Sequence, residues 1–135
     1  MTARRVFCDS GVLVRYFVDD DPARSLAAAR LIDGDTDVVV STAVLLEAVH
    51  VLRGDYRIAN PELGEGLIAF LTKANVELSD ADQSGAVAAL RWSLRVSARR
   101  IPDAIIAAAA DRAGCDWIAT FDEALTSPTV PVRLI

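Results

Sequence analysis

The chain has 135 residues, 53% apolar and 24% charged. That is enough apolar side chain for one buried core over residues 1–135 without disulfide staples, and too much for a disordered tail. Fourteen Lys and Arg against nineteen Asp and Glu give a net charge of −5, which excludes a general polyanion binder, because such domains carry a basic excess.

Arg5 to Cys8 predicts a short strand, and from Ser10 the spacing of Val12, Leu13, Tyr16 and Phe17 predicts a helix. Asp19-Asp20-Asp21-Pro22 closes that helix and opens the next, since proline suits the first helical position and aspartates favour the positive helix end. Leu26, Ala29, Leu31 and Ile32 supply its apolar face. Asp37 to Val40 predicts a second strand, whose successive β-branched residues suit burial on both faces. Ser41 or Thr42 caps a helix over 43–52, and Asn60-Pro61-Glu62 starts another, with Leu63, Leu67, Phe70 and Leu71 at helical spacing.

Val76 to Leu78 predicts a third strand, and Ser79 with Asp82 suggests capping of a long helix that reaches about residue 97. Pro102-Asp103 begins a helix that Gly114 stops. Trp117 to Ala119 predicts a fourth strand and Val130 to Leu134 a fifth. Strands alternating with helices imply an α/β fold with a parallel sheet covered on both faces.

Cys8 and Cys115 each sit in an apolar run and are expected to be buried free thiols. The N-terminus starts basic and turns apolar, but Asp9 interrupts the run and no small-residue cleavage site follows. No apolar stretch approaches the ~18 residues of a membrane span. A soluble, cytoplasmic protein is therefore expected.

Parallel α/β sheets bind ligands beyond the carboxyl ends of their strands. The first strand delivers Asp9 there, and the fourth delivers Asp122 after Thr120-Phe121. Glu47 lies in an apolar helix with Val44 and Val51 on its face, where a lone buried carboxylate would cost several kcal/mol unless paired or bound to a cation. Asp103 opens the alanine-rich helix. Each acid also has a plainer role open to it. Asp9 can cap a helix, Asp103 can complement a helix N-terminus, Asp122 can sit in a surface turn with Glu123, and Glu47 can reach solvent. Taken jointly, several carboxylates at one sheet end repel one another, and a divalent cation relieves the repulsion. Hard oxygen donors without a Cys/His set favour Mg2+, with Mn2+ as a substitute, over zinc.

The segments FCDSGVLVRYF, STAVLLEAVHVL, RRIPDAIIAAAADRAG and CDWIATFDEAL resemble, in order, the four acidic motifs of PIN-domain nucleases, and especially the VapC-type toxins of bacterial toxin–antitoxin modules. The resemblance implies a PIN-like three-layer α/β/α fold around a central four- to five-stranded parallel sheet. It makes Asp9, Glu47, Asp103 and Asp122 the catalytic acids, with Asp9 and Asp103 the metal ligands. Ser10 and Thr120 become hydroxyls that orient the carboxylates. It further implies Mg2+-dependent hydrolysis of RNA to 5′-phosphate and 3′-hydroxyl ends, a homodimer, and neutralisation by a VapB-like antitoxin. Many relatives carry a further acid shortly after the last Asp; here Glu123 is adjacent, while Asp116, at the start of the strand, belongs to the opposite sheet end.

Arg91, Arg95 and Arg99 recur at four-residue spacing, with Arg100 adjoining. Arg99, Arg100 and Arg15 are candidate RNA contacts, although a solvated helix face is the plainer reading of the spacing. His50, the only histidine, has no partner for acid–base catalysis and suits a helix surface or core. A phospho-receiver domain would need an acidic pair and a lysine near the last strand, whereas Lys73 falls in a predicted helix. A dehalogenase-like phosphatase would need Asp at position 11, which is Gly. A PIN-like module that binds without cutting, or a PIN nuclease outside any toxin–antitoxin pair, remains the alternative.

Overall fold

The computed structural model describes residues 5–97, 100–120 and 122–134. In chain order the elements are β1 (Arg5–Phe7), α1 (Ser10–Phe17), α2 (Pro22–Ile32), β2 (Asp37–Val40), α3 (Thr42–Gly54), α4 (Asn60–Leu71), β3 (Val76–Leu78), α5 (Gln83–Val96), α6 (Ile101–Arg112), β4 (Ile118–Thr120) and β5 (Val132–Leu134).

Local chemistry sets these boundaries. The side chains of Asp9, Asp21, Ser41 and Asp82 accept from backbone N–H groups three residues on, capping α1, α2, α3 and α5. Asp82 performs this alone, while the Ser79 amide extends the sheet by donating to Val40 (2.9 Å). Helices α4 and α6 lack a side-chain cap and begin instead with Pro61 and Pro102 in the first turn. Gly114 ends α6 at φ +73°. Its amide donates to Asp111 (3.0 Å) and the Cys115 amide to Ala110 (3.1 Å), the paired bonds of a Schellman stop.

Strand β2 is central, with β1 and β3 parallel on either side; Val6 faces Val38 and Val39 faces Glu77. Val38, Val39 and Val40 are all buried, as two covered faces require. Strands β4 and β5 form a second parallel pair. The α/β class and the parallel sense are as expected. Among the described residues, however, the five strands hydrogen-bond as sheets of three and two rather than as one. Hydrophobic pattern specifies a strand but not its neighbour; among the described residues β1 pairs only with β2, and Phe7 is 57% exposed.

Leu13, Ile32, Leu45, Leu52, Leu67, Phe70, Leu90 and Ile101 are the fully buried centre of the core. Amide side chains seal the joints beneath it. Asn75 donates to the carbonyls of Ile32 and Thr36 (2.9 Å each), and Gln83 donates to those of Leu71 and Val76. Cys8 is buried as expected, but Cys115 is exposed, because it lies past the glycine stop, where the chain leaves the core. Leu26 also departs from expectation: α2 buries Ala28 and Ile32 and leaves Leu26 52% exposed. No helix of the described residues is long and apolar enough to cross a membrane.

Candidate functional site

Asp9 leaves the carboxyl end of β1 just after Cys8, whose amide continues the ladder to Val39 (2.9 Å). Its Oδ1 accepts from the Val12 amide at 3.3 Å, so the capping role is real, and the residue stays exposed. Ser10 is half-buried in the first turn of α1. A Cβ at position 11 would lie 3.4 Å from Asp9 Oδ1, close to ordinary van der Waals contact. Asp9 also lines a cavity of about 450 Å3 between α1 and α2, with Arg15, Arg24 and Leu31 among its walls.

Arg15 lines that cavity while its guanidinium pairs with Asp20, which also accepts from Tyr56 (2.8 Å). These two donors, Tyr56 foremost, hold the Asp20 carboxyl below its usual range.

Asp103 sits in the first turn of α6 with its side chain only 14% exposed. Its Oδ2 accepts from the Thr126 amide (3.2 Å) and from Arg100 Nη1 (3.4 Å). Arg100 also donates to the carbonyl of Ala124. Asp122 is exposed, and its Oδ1 accepts from the Ala124 amide (2.8 Å). Two of the expected acids are thereby tied to one short segment, 122–126, with Arg100 as the clasp.

Glu47 is exposed. The sequence placed it on an apolar helical face, but α3 buries Val44, Leu45, Ala48, Val49 and Leu52, a stripe on the other side of the helix. Val51 is half-buried at the margin. Solvent therefore hydrates the carboxylate, and the expected burial cost does not arise. His50 is exposed on the same helix, one turn beyond Glu47.

The side chain of Thr120, and the whole of Phe121 and Arg99, lie outside the described residues; Arg91 and Arg95 are exposed on α5. Lys73 lies in the turn after α4 rather than in a helix, and it pairs with Asp33 at 2.8 Å. That pair stands at the amino ends of β2 and β3, away from Asp9. Sequence reading missed Asp80, two residues past β3, whose carboxylate accepts from both the amide and the hydroxyl of Thr42 (2.9 Å each). Like Asp9 it stands at the carboxyl end of the three-stranded sheet, and its place just after a strand was the available signal.

The donors are all hard oxygens, which suits an oxygen-seeking divalent cation. Among the described residues, no three His, Cys, Asp or Glu side chains are gathered into a group that could hold one. The donor chemistry fits a metal, while the arrangement keeps Asp103 engaged with Arg100 and Thr126.

The family model for the PIN domain matches residues 6–128, and the chain belongs to that family. The matched span runs from β1 through the segment after Asp122 and encloses all four acids. No curated protein matches the chain.

Proposed function

We propose that residues 1–135 act as one PIN domain, a metal-dependent endoribonuclease, and the toxin of a bacterial type II toxin–antitoxin pair of the VapC kind. The observation that carries this reading is the PIN match over 6–128, which contains Asp9, Glu47, Asp103 and Asp122 in the expected order. Asp9 and Asp103 are the proposed ligands of Mg2+, for which Mn2+ can substitute, and Glu47 and Asp122 are the proposed groups that orient water. A bound divalent cation supplies charge stabilisation at phosphate and a more acidic water. Ser10 and Thr120 are proposed to orient the acids, and Arg15, Arg99 and Arg100 to draw in the RNA backbone. A homodimer and a VapB-like antitoxin complete the proposal, and the net charge of −5 suits a basic antitoxin segment.

A second reading has its own support. Asp103 is already satisfied by Arg100 and Thr126, and no three-acid group is gathered among the described residues. That arrangement suits a PIN-like module that binds its partner without cutting. Incubation with a structured RNA in Mg2+ and in EDTA separates the two. Cleavage with 5′-phosphate ends in Mg2+ alone supports the nuclease, and intact RNA under both conditions supports the binding module.

A further inference from the structure

Helix α3 carries Leu46, Val49, His50 and Arg53 at i, i+3, i+4 and i+7, which places them along one side. With Gly54 and with Pro102 of α6 they line a cavity of about 420 Å3, within the roughly 300–1,000 Å3 span of small-molecule sites. Its position is informative. Two of the four candidate acids are chain neighbours of lining residues, Glu47 of Leu46 and Asp103 of Pro102. The walls combine aliphatic surface, an imidazole and a guanidinium. This is the chemistry that receives an unstacked base of single-stranded RNA, through stacking on flat side chains and attraction of the adjoining phosphate.

We propose that this cavity is a nucleotide subsite that takes one unstacked RNA base against His50 and Pro102, with Arg53 beside its phosphate. The inference deepens the nuclease reading and rests on it for the identity of the ligand. His50, set aside at the sequence level for want of a catalytic partner, becomes a binding residue. Gly54 supplies an independent handle, since a Cβ built there meets no atom within 4 Å.

The test is binding of a 5′-labelled single-stranded decaribonucleotide in EDTA, followed by fluorescence anisotropy, with a duplex RNA of the same length alongside. Gly54→Phe, which adds bulk at the cavity wall, and His50→Ala, which removes an exposed ring, should each weaken single-strand binding about tenfold, the scale of one lost base stack. Duplex binding and the thermal melt should remain as in the wild type. Should Gly54→Phe fail to fold, His50→Ala decides alone. Wild-type affinity in the folded variants, equal weakening for the duplex, or no single-strand binding by the wild type would each overturn the subsite. Because EDTA suppresses any cleavage, these results stand apart from the Mg2+ assay, whose failure would count against the nuclease reading instead.

Discussion

Arg100 clasps Asp103 across one turn, Nη1 to Oδ2 at 3.4 Å, and with the same nitrogen holds the carbonyl of Ala124. The start of α6 and the segment after β4 are therefore fastened through a partly buried charge pair, with side chains 31% and 14% exposed. Arg100→Ala should release residues 122–126 while leaving the core intact. Native-state hydrogen exchange at the Thr126 and Ala124 amides should accelerate, with global stability falling by about 1 kcal/mol or less, as for other partly solvated pairs. Unchanged exchange at Thr126 would show that the clasp does not hold the segment.

Helix caps and core side chains should separate cleanly in urea melts. Asp82→Ala removes the acceptor for the Gly85 amide and should cost about 1 kcal/mol. Phe70→Ala empties one of the largest fully buried positions and should cost about 3–5 kcal/mol.

The two thiols should differ in reactivity. Burial, and secondarily the Asp9 charge, push the Cys8 thiol up, away from its reactive thiolate form. Cys115 is exposed. Ellman's reagent should titrate one thiol quickly in native protein and the second only on unfolding; Cys115→Ser should abolish the fast phase.

Lys73, and after it Tyr16, donate to Asp33 and hold its carboxyl below the usual range. A lowered folded value means that the carboxylate stabilises the fold above its unfolded pKa, near ~3.9. That contribution is lost as pH falls through the folded value. The Asp33 side chain is 51% exposed, so the effect should stay under about 1 kcal/mol. Asp33→Asn should be less stable than the wild type at pH 7 and indistinguishable at the acid end. A gap that persists or widens on acidification would contradict the assignment.

Much of this architecture is legible in the residues. Strands β2 and β3 match their predicted bounds because β-branched or apolar runs are closed by turn residues. Pro61, Pro102 and Gly114 mark helix ends by their backbone chemistry, and Ser41 by its capping hydroxyl. What periodicity does not carry is direction and pairing. Glu47 has apolar neighbours on both sides in the chain, yet its azimuth on α3 turns it to water. Leu26 is apolar but sits on the outer side of an alanine-rich helix whose buried positions are filled by Ala28 and Ile32. The split into two sheets depends on contacts between distant segments, and the Arg100 clasp needs Ala124 and Thr126, which no local pattern links to Asp103. The motif order was enough to reach the PIN family; the geometry around each acid was not in the pattern.

The central proposal is that Asp9 and Asp103 together hold a divalent cation, with Glu47 and Asp122 orienting water. Its most direct measurement is a Mn2+ titration of wild-type protein, Asp9→Asn and Asp103→Asn, read by the electron paramagnetic resonance of free Mn2+ and paired with circular dichroism to confirm the fold. Wild type should deplete free Mn2+, and either substitution alone should abolish that depletion. Mn2+ binding that survives both substitutions, or that is missing from the folded wild type, would contradict the shared site.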